Sequence, residues 1–120
     1  VLDERLLLKT SGRLALNADY GTASFGPPAS AANFAGDIVR ANDGAGADTA
    51  DACEPLAAGS LAGKVAFINR GGCSFEIKVV NAQNAGAKAA IIGNVASSPA
   101  GLINMSDDPS VVATIPAVQI

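Results

Sequence analysis

Residues 64–93 hold the pattern that leaves the fewest folds open: an apolar run, a glycine turn, a helix and a second apolar run. Lys64-Val65-Ala66-Phe67-Ile68-Asn69 reads as a buried strand, and Arg70-Gly71-Gly72-Cys73 as a tight loop. Ser74 is placed to cap a helix, with the Glu76 carboxylate in the first turn, where it suits the helix dipole. The helix is predicted over 75–85. Phe75, Val79, Ala82 and Ala85 recur on one face, its small end allows close approach to a sheet, and Gly86 supplies the stop. Lys88-Ala89-Ala90-Ile91-Ile92-Gly93 reads as the second buried strand. Strand, helix and strand at this spacing make a βαβ unit, whose strands run parallel with a right-handed crossover.

Elsewhere the pattern is weaker. Short strands are expected at residues 6–9 and 13–16 around the break at Thr10-Ser11-Gly12, at 22–25 before Gly26-Pro27-Pro28, and at 37–41 before the turn Asn42-Asp43-Gly44. Residues 42–52 are small and acidic and read as an exposed loop, and 56–63 as a helical turn and a break. Met105 to Asp108 reads as exposed. Val111-Val112 and a strand over 115–120 follow, with Pro116 placing the start of that strand at a sheet edge. The sequence therefore divides into N-terminal strands or a flanking segment over 1–19 and a domain over 20–120.

Composition narrows the chemistry. The 120 residues include no His and two Cys, so no Ser-His-Asp or Cys-His machine and no common zinc site can be built from them. The net charge is −3 and the eight basic residues are never adjacent. Nucleic acid and anionic membrane surfaces are poor partners for such a chain. No apolar run approaches a membrane span, and no leader-like segment is expected at the N-terminus. Cys53 and Cys73 lie 20 positions apart, each in turn-like sequence. That setting favours a disulfide between loops; two buried free thiols are the alternative.

Taken in order, Cys53-Glu54-Pro55-Leu56, Leu61-Ala62-Gly63-Lys64-Val65-Ala66-Phe67-Ile68, Asn69-Arg70-Gly71-Gly72-Cys73-Ser74-Phe75, Lys78, Asn81-Ala82-Gln83-Asn84-Ala85-Gly86-Ala87 and Ile115-Pro116-Ala117-Val118 resemble the protease-associated (PA) domain. The resemblance spans about residues 20–120 and is strongest over 53–93. Ser24-Phe25-Gly26-Pro27 and Asn42-Asp43-Gly44 resemble PA domains of secreted bacterial peptidases. The resemblance implies an α+β fold: a β-barrel or sandwich of about seven strands with a βαβ unit and short flanking helices. It implies a non-catalytic module, secreted or extracellular, that binds a peptide substrate or the catalytic domain of a parent peptidase and controls substrate access. Members usually continue past the Ile-Pro strand into a further helix and strand, so this chain reads either as a piece truncated at its C-terminal end or as a minimal form, and an unpaired sheet edge is expected. A small α/β enzyme using carboxylates or a bound metal, and a structural or receptor module of the same fold, are the alternatives.

The candidate peptide-binding residues are Asn69, Arg70, Gly71, Gly72 and Ser74. Glycines before a helix N-terminus can turn backbone N–H groups outward toward a carboxylate or peptide carbonyl, and Arg70 adds a fork of donors. The structural reading is that the glycines only make the turn and Arg70 pairs with a nearby carboxylate. Asn42, Asp43, Asp48 and Asp51 could offer oxygens to Ca²⁺, but their spacing is not that of an EF-hand, and a solvated loop is expected. Asp107-Asp108 sits beside Pro109 with nothing in the sequence to raise a carboxyl pKa, so no acid–base role is expected. Ser60, Ser74 and Ser97-Ser98 lack a base, and neither a nucleophile elbow nor a phosphate loop is present. No catalytic residue, metal or cofactor is therefore expected. Asn104-Met105-Ser106 matches the N-glycosylation acceptor, relevant in a eukaryotic secretory protein, whereas the Ala-rich composition together with the resemblance to peptidase PA domains implies a bacterial source.

Overall fold

The computed structural model describes residues 5–10, 14–29, 34, 36–95, 101 and 103–120, with the backbone alone at 5–10 and 14–19. Seven elements follow in order: β1 (Arg5–Thr10), β2 (Leu14–Asp19), β3 (Ile38–Arg40), β4 (Val65–Asn69), α1 (Phe75–Asn84), β5 (Ala89–Gly93) and β6 (Ala117–Gln119). β1 and β2 form an antiparallel hairpin, longer at both strands than the sequence suggests, and the expected break at Ser11-Gly12 lies outside the described residues. β3, β4, β5 and β6 lie side by side in that order, all parallel. The described strands thus number six in two sheets, where the sequence suggests about seven in a barrel or sandwich.

The βαβ unit forms as its local signals dictate. Val65 pairs with Ala89 and Asn69 with Gly93, a five-residue parallel register. Alternation divides the strands between two cores. Ala66, Ile68, Ala90, Ile92 and Ala117 face α1, where Val79, Ala82 and Ala85 meet them. Val65, Ala89, Ile91 and Val118 face the other way, against Phe34. Small side chains on the helix-facing side bring α1 close. Ser74 Oγ accepts the Ile77 N–H at 3.3 Å, as an N-cap should. At the other end Gly86 takes φ +98°, Ala87 N–H donates to the Ala82 carbonyl and Gly86 N–H to that of Gln83. This is the paired bonding of a Schellman stop.

Four expectations are corrected. Residues 22–25 form no strand: only isolated bridges occur, Gly21 to Gln119 and Ala23 to Met105. Met105 is fully buried in the α1-side core rather than exposed, because that bridge turns it inward. Residues 42–49 are largely exposed, but Ala50 and Ala52 are buried under the loop. The outer edge of β6 is not left unpaired. Gly21 N–H donates to the Gln119 carbonyl at 2.7 Å and accepts in return at 3.0 Å. Only glycine fits there, since a Cβ on Gly21 would fall 2.0 Å from the Ile103 carbonyl oxygen. The buried Gln119 side chain completes the seam by accepting the Ile103 N–H at 3.0 Å.

Candidate functional site

The C-terminal ends of β4 and β5 carry the loops that make the site. β4 delivers Asn69 and Arg70, and the chain then turns through Gly71 and Gly72, at φ +102° and +87°, into α1. These angles are open to glycine and strained for other residues. Gly71 and Gly72 are exposed, and among the described residues their N–H groups meet no acceptor. Among the described residues Arg70 pairs with no carboxylate. Its Nη1 donates to Asn94 Oδ1 at 3.3 Å and its guanidinium lies 5.6 Å from the centre of the Phe75 ring.

A groove of about 340 Å³ runs along this turn, lined by Arg70, Gly71 and Gly72 on one side and Gly46, Asp48, Asp51 and Glu54 on the other. Three of the five candidate residues therefore come together. The other two do not line it. Asn69 turns to the acidic loop, donating to Asp48 Oδ2 at 3.1 Å, and Ser74 Oγ donates to Asp108 Oδ2 at 2.6 Å.

The acidic loop is built from Asx turns. Asn42, Asp43, Asp48 and Asp51 each accept the backbone N–H two residues on, at 2.9 to 3.0 Å. Asp43, Asp51 and Glu54 each bring a carboxylate oxygen within 4.8 Å of the others. Sequence spacing groups Asp48 with Asp43 and Asp51, but Glu54 takes that place. Glu54 is pushed up, first by its hydrogen bond with Asp43, then by burial and repulsion from Asp43 and Asp51. Burial also pushes Asp43 upward, but the Ala45 N–H and bonds with Asp51 and Glu54 outweigh it, so Asp43 is lowered. The groove wall opposite Arg70 is acidic, which disfavours a free carboxylate as ligand.

Polar residues of α1 hold the surrounding loops, and the sequence shows no sign of it. Lys78 is fully buried; its Nζ donates to the Asp51 carbonyl at 2.8 Å and to that of Gly71. Asn81 donates to the carbonyl of buried Ala52 at 2.7 Å, steadying a residue at φ +53°. On the other flank buried Glu76 accepts Asp108 N–H at 2.8 Å and Ala113 N–H at 2.9 Å, while Gln83 accepts Thr114 N–H at 2.6 Å. Glu76 is thus more than a helix-dipole residue. Burial pushes its carboxyl upward, and the two N–H bonds with a further bond from Asp107 outweigh burial and hold it low. In turn Glu76 pushes Asp107 up, by hydrogen bonding ahead of desolvation and repulsion, so the expectation that nothing there raises a carboxyl is corrected. Asp108 is lowered, chiefly by the Ser74 hydroxyl. Cys53 and Cys73 are joined, so the disulfide reading holds and the free-thiol alternative falls.

A family model of the PA domain matches residues 11–120. The chain belongs to the PA domain family. Curated relatives share parts of it. The receptor homology region, transmembrane domain- and RING domain-containing protein 1 of rice is 42% identical over 82 residues, which is 66% of this chain and 14% of that protein. The E3 ubiquitin-protein ligase ZNRF4 of Macaca fascicularis is 40% identical over 74 residues, 58% of this chain and 17% of the ligase. The E3 ubiquitin-protein ligase RNF13 of chicken is 44% identical over 63 residues, 48% of this chain and 16% of the ligase. The chain spans about a sixth of these proteins' length. None of the three is named a peptidase, and all come from eukaryotes, so the expected bacterial peptidase parent has no support from them. No helix among the described residues is long and apolar enough to cross a membrane.

Proposed function

We propose that this PA domain is a non-catalytic recognition module that binds an extended peptide or protein segment along the groove between Arg70-Gly71-Gly72 and the acidic loop, for a longer protein of the ubiquitin-ligase kind. One observation carries the reading: Gly71 and Gly72 are exposed, and among the described residues their N–H groups have no acceptor, at the rim of a groove about 340 Å³ in volume. Such donors fit the carbonyls of an extended chain, the bonding that strand-like peptide recognition uses. The acidic wall of Asp48, Asp51 and Glu54 selects for neutral or basic residues in the segment. Asp43, Asp51 and Glu76 are engaged with backbone N–H groups, which favours a structural role for them over an enzymatic one. The disulfide and the transmembrane protein among the relatives support a luminal or extracellular setting.

The test uses peptides selected by display on the immobilised 120-residue chain, followed by NMR titration. Shifts should concentrate at residues 46–54 and 70–73, and Arg70→Ala should weaken binding at least fivefold while the spectrum stays folded. Shifts confined to other surfaces, or undiminished affinity in Arg70→Ala, would overturn the assignment.

A further inference from the structure

Lys78 holds an unusual position for an ammonium group. It is fully buried, and its three contacts are the Asp51 carbonyl, the Gly71 carbonyl and, at 3.5 Å, the Sγ of Cys53. Among the described residues no carboxylate is in ion-pair contact with it, in contrast to Lys64, which pairs with Asp37 at 3.2 Å. A buried cation held only by neutral dipoles is poorly compensated. Burial pushes Lys78 down, opposed at longer range by Asp51, Asp48, Asp43 and Glu54. The two sulfurs of the bridge are therefore not equivalent. Cys53 Sγ touches the ammonium, whereas Cys73 has no charged contact among the described residues and follows the exposed Gly71-Gly72 turn.

We infer that the Cys53–Cys73 bridge opens in one direction: a low-molecular-weight thiol of the glutathione class attacks Cys73, and Cys53 departs into the contact with Lys78. The external thiolate forms a bond to Cys73 Sγ; the Cys53–Cys73 bond breaks and its electron pair stays on Cys53 as thiolate. The product carries one added thiol as a mixed disulfide on Cys73. A second thiolate then attacks the added sulfur, releasing the small-molecule disulfide and leaving Cys73 as thiolate, so two external thiols are oxidised as the bridge is reduced. In the reverse direction Cys53 thiolate attacks Cys73, expels the added thiol and closes the bridge. The better leaving sulfur is the one whose thiolate is more stable, and an adjacent cation supplies that stability. Asp51, whose Oδ1 accepts the Cys53 N–H at 3.0 Å, Glu54 and Asp43 beside it, and the Gly71 carbonyl oxygen 3.6 Å from the sulfur oppose a thiolate there, but among the described residues Lys78 is the charged group in contact with the sulfur. Cys73 is thus a site for S-thiolation on the turn that borders the groove.

The experiment treats the folded, oxidised 120-residue chain with glutathione, quenches early time points with acid, alkylates free thiols and maps both marks by peptide mass spectrometry. Glutathione should sit on Cys73 and the alkyl group on Cys53 with at least fivefold preference. Lys78→Met should bring that preference below twofold, and Lys78→Arg should keep it. A preference under fivefold in the parent chain, glutathione on Cys53, or an unchanged preference in Lys78→Met would overturn the inference. Should Lys78→Met not fold, alkylation rates across pH in Cys73→Ala and Cys53→Ala decide. Cys53 should ionise at least one pH unit below Cys73, and equal or reversed order would overturn it.

Discussion

Glu76 offers the sharpest test of how this domain is held together. Its two carboxylate oxygens accept the N–H groups of Asp108 and Ala113, more than 30 positions away in sequence, and the side chain is 2% exposed. Glu76→Gln keeps the shape but removes the charge and turns an amide N–H₂ toward one of the two backbone donors. One charge-assisted bond, worth about 1.5–3 kcal/mol, is lost and the other becomes a neutral one. The expected loss is therefore about 2–4 kcal/mol, a large part of the ~5–15 kcal/mol that holds a domain folded. The sign of the pH dependence follows from the lowered carboxyl. A folded value below the ordinary 4.5 means that the stabilisation is present above pH 4.5 and is lost as pH falls through the lower folded value. Asp107 shifts the opposite way because it faces Glu76, so the comparison is best made in an Asp107→Asn background, which removes that coupled partner and leaves Asp108, common to both variants, as the titrating neighbour. Urea unfolding followed by far-ultraviolet circular dichroism supplies the measurement. Protonated Glu76 and Gln both present a donor to the amides, so the difference between them should shrink toward zero as pH drops from 5 to well below 4. A loss under ~0.5 kcal/mol at pH 7, or one independent of pH, would refute the assignment of Glu76 as the clamp on this loop.

Three further outcomes are expected. Replacing both cysteines, Cys53→Ala with Cys73→Ala, should cost roughly 3 kcal/mol in urea unfolding, the loop-closure value for a bridge of this span; a loss near zero would mean that the Lys78 contacts alone hold the two loops. Met105→Ala should cost about 2–5 kcal/mol, as expected for a fully buried side chain, against under ~0.5 kcal/mol if the residue were exposed. Gly86→Ala should lower the melting temperature by several degrees, since φ +98° is unfavourable to alanine and its Cβ would fall 2.9 Å from Ala62 Cα; an unchanged melting temperature would show that the Schellman stop is not held as described.

The parts of the fold that sequence conveys are those whose determinants are local. Ser74, the spacing of Val79, Ala82 and Ala85, and Gly86 specify α1 within a dozen residues, and the flanking apolar runs specify β4 and β5. The burial of Met105 has no signal in the sequence because one apolar residue in a polar segment has no period; it comes from a bridge to Ala23, 82 positions away in sequence. In sequence Glu76 reads only as a helix-dipole residue and Lys78 only as part of the PA resemblance, because their partners are backbone groups of distant loops, which no side-chain pattern records. The site was legible to the extent that Arg70, Gly71 and Gly72 do line one groove. Asn69 and Ser74 are adjacent to them in sequence, yet the strand end and the helix start fan their side chains toward Asp48 and Asp108. Glu54 joined Asp43 and Asp51 only because the loop folds back through its Asx turns.

The polar side chains of α1 reach almost entirely to main-chain atoms: Glu76 to two N–H groups, Lys78 to two carbonyls, Asn81 to one carbonyl and Gln83 to one N–H. Every amino acid except proline carries those same main-chain groups. The loops around the groove can therefore exchange their outward side chains without loosening what fastens them. The helix serves as a fixed rack on which differing loop surfaces can be hung while the framework stays put.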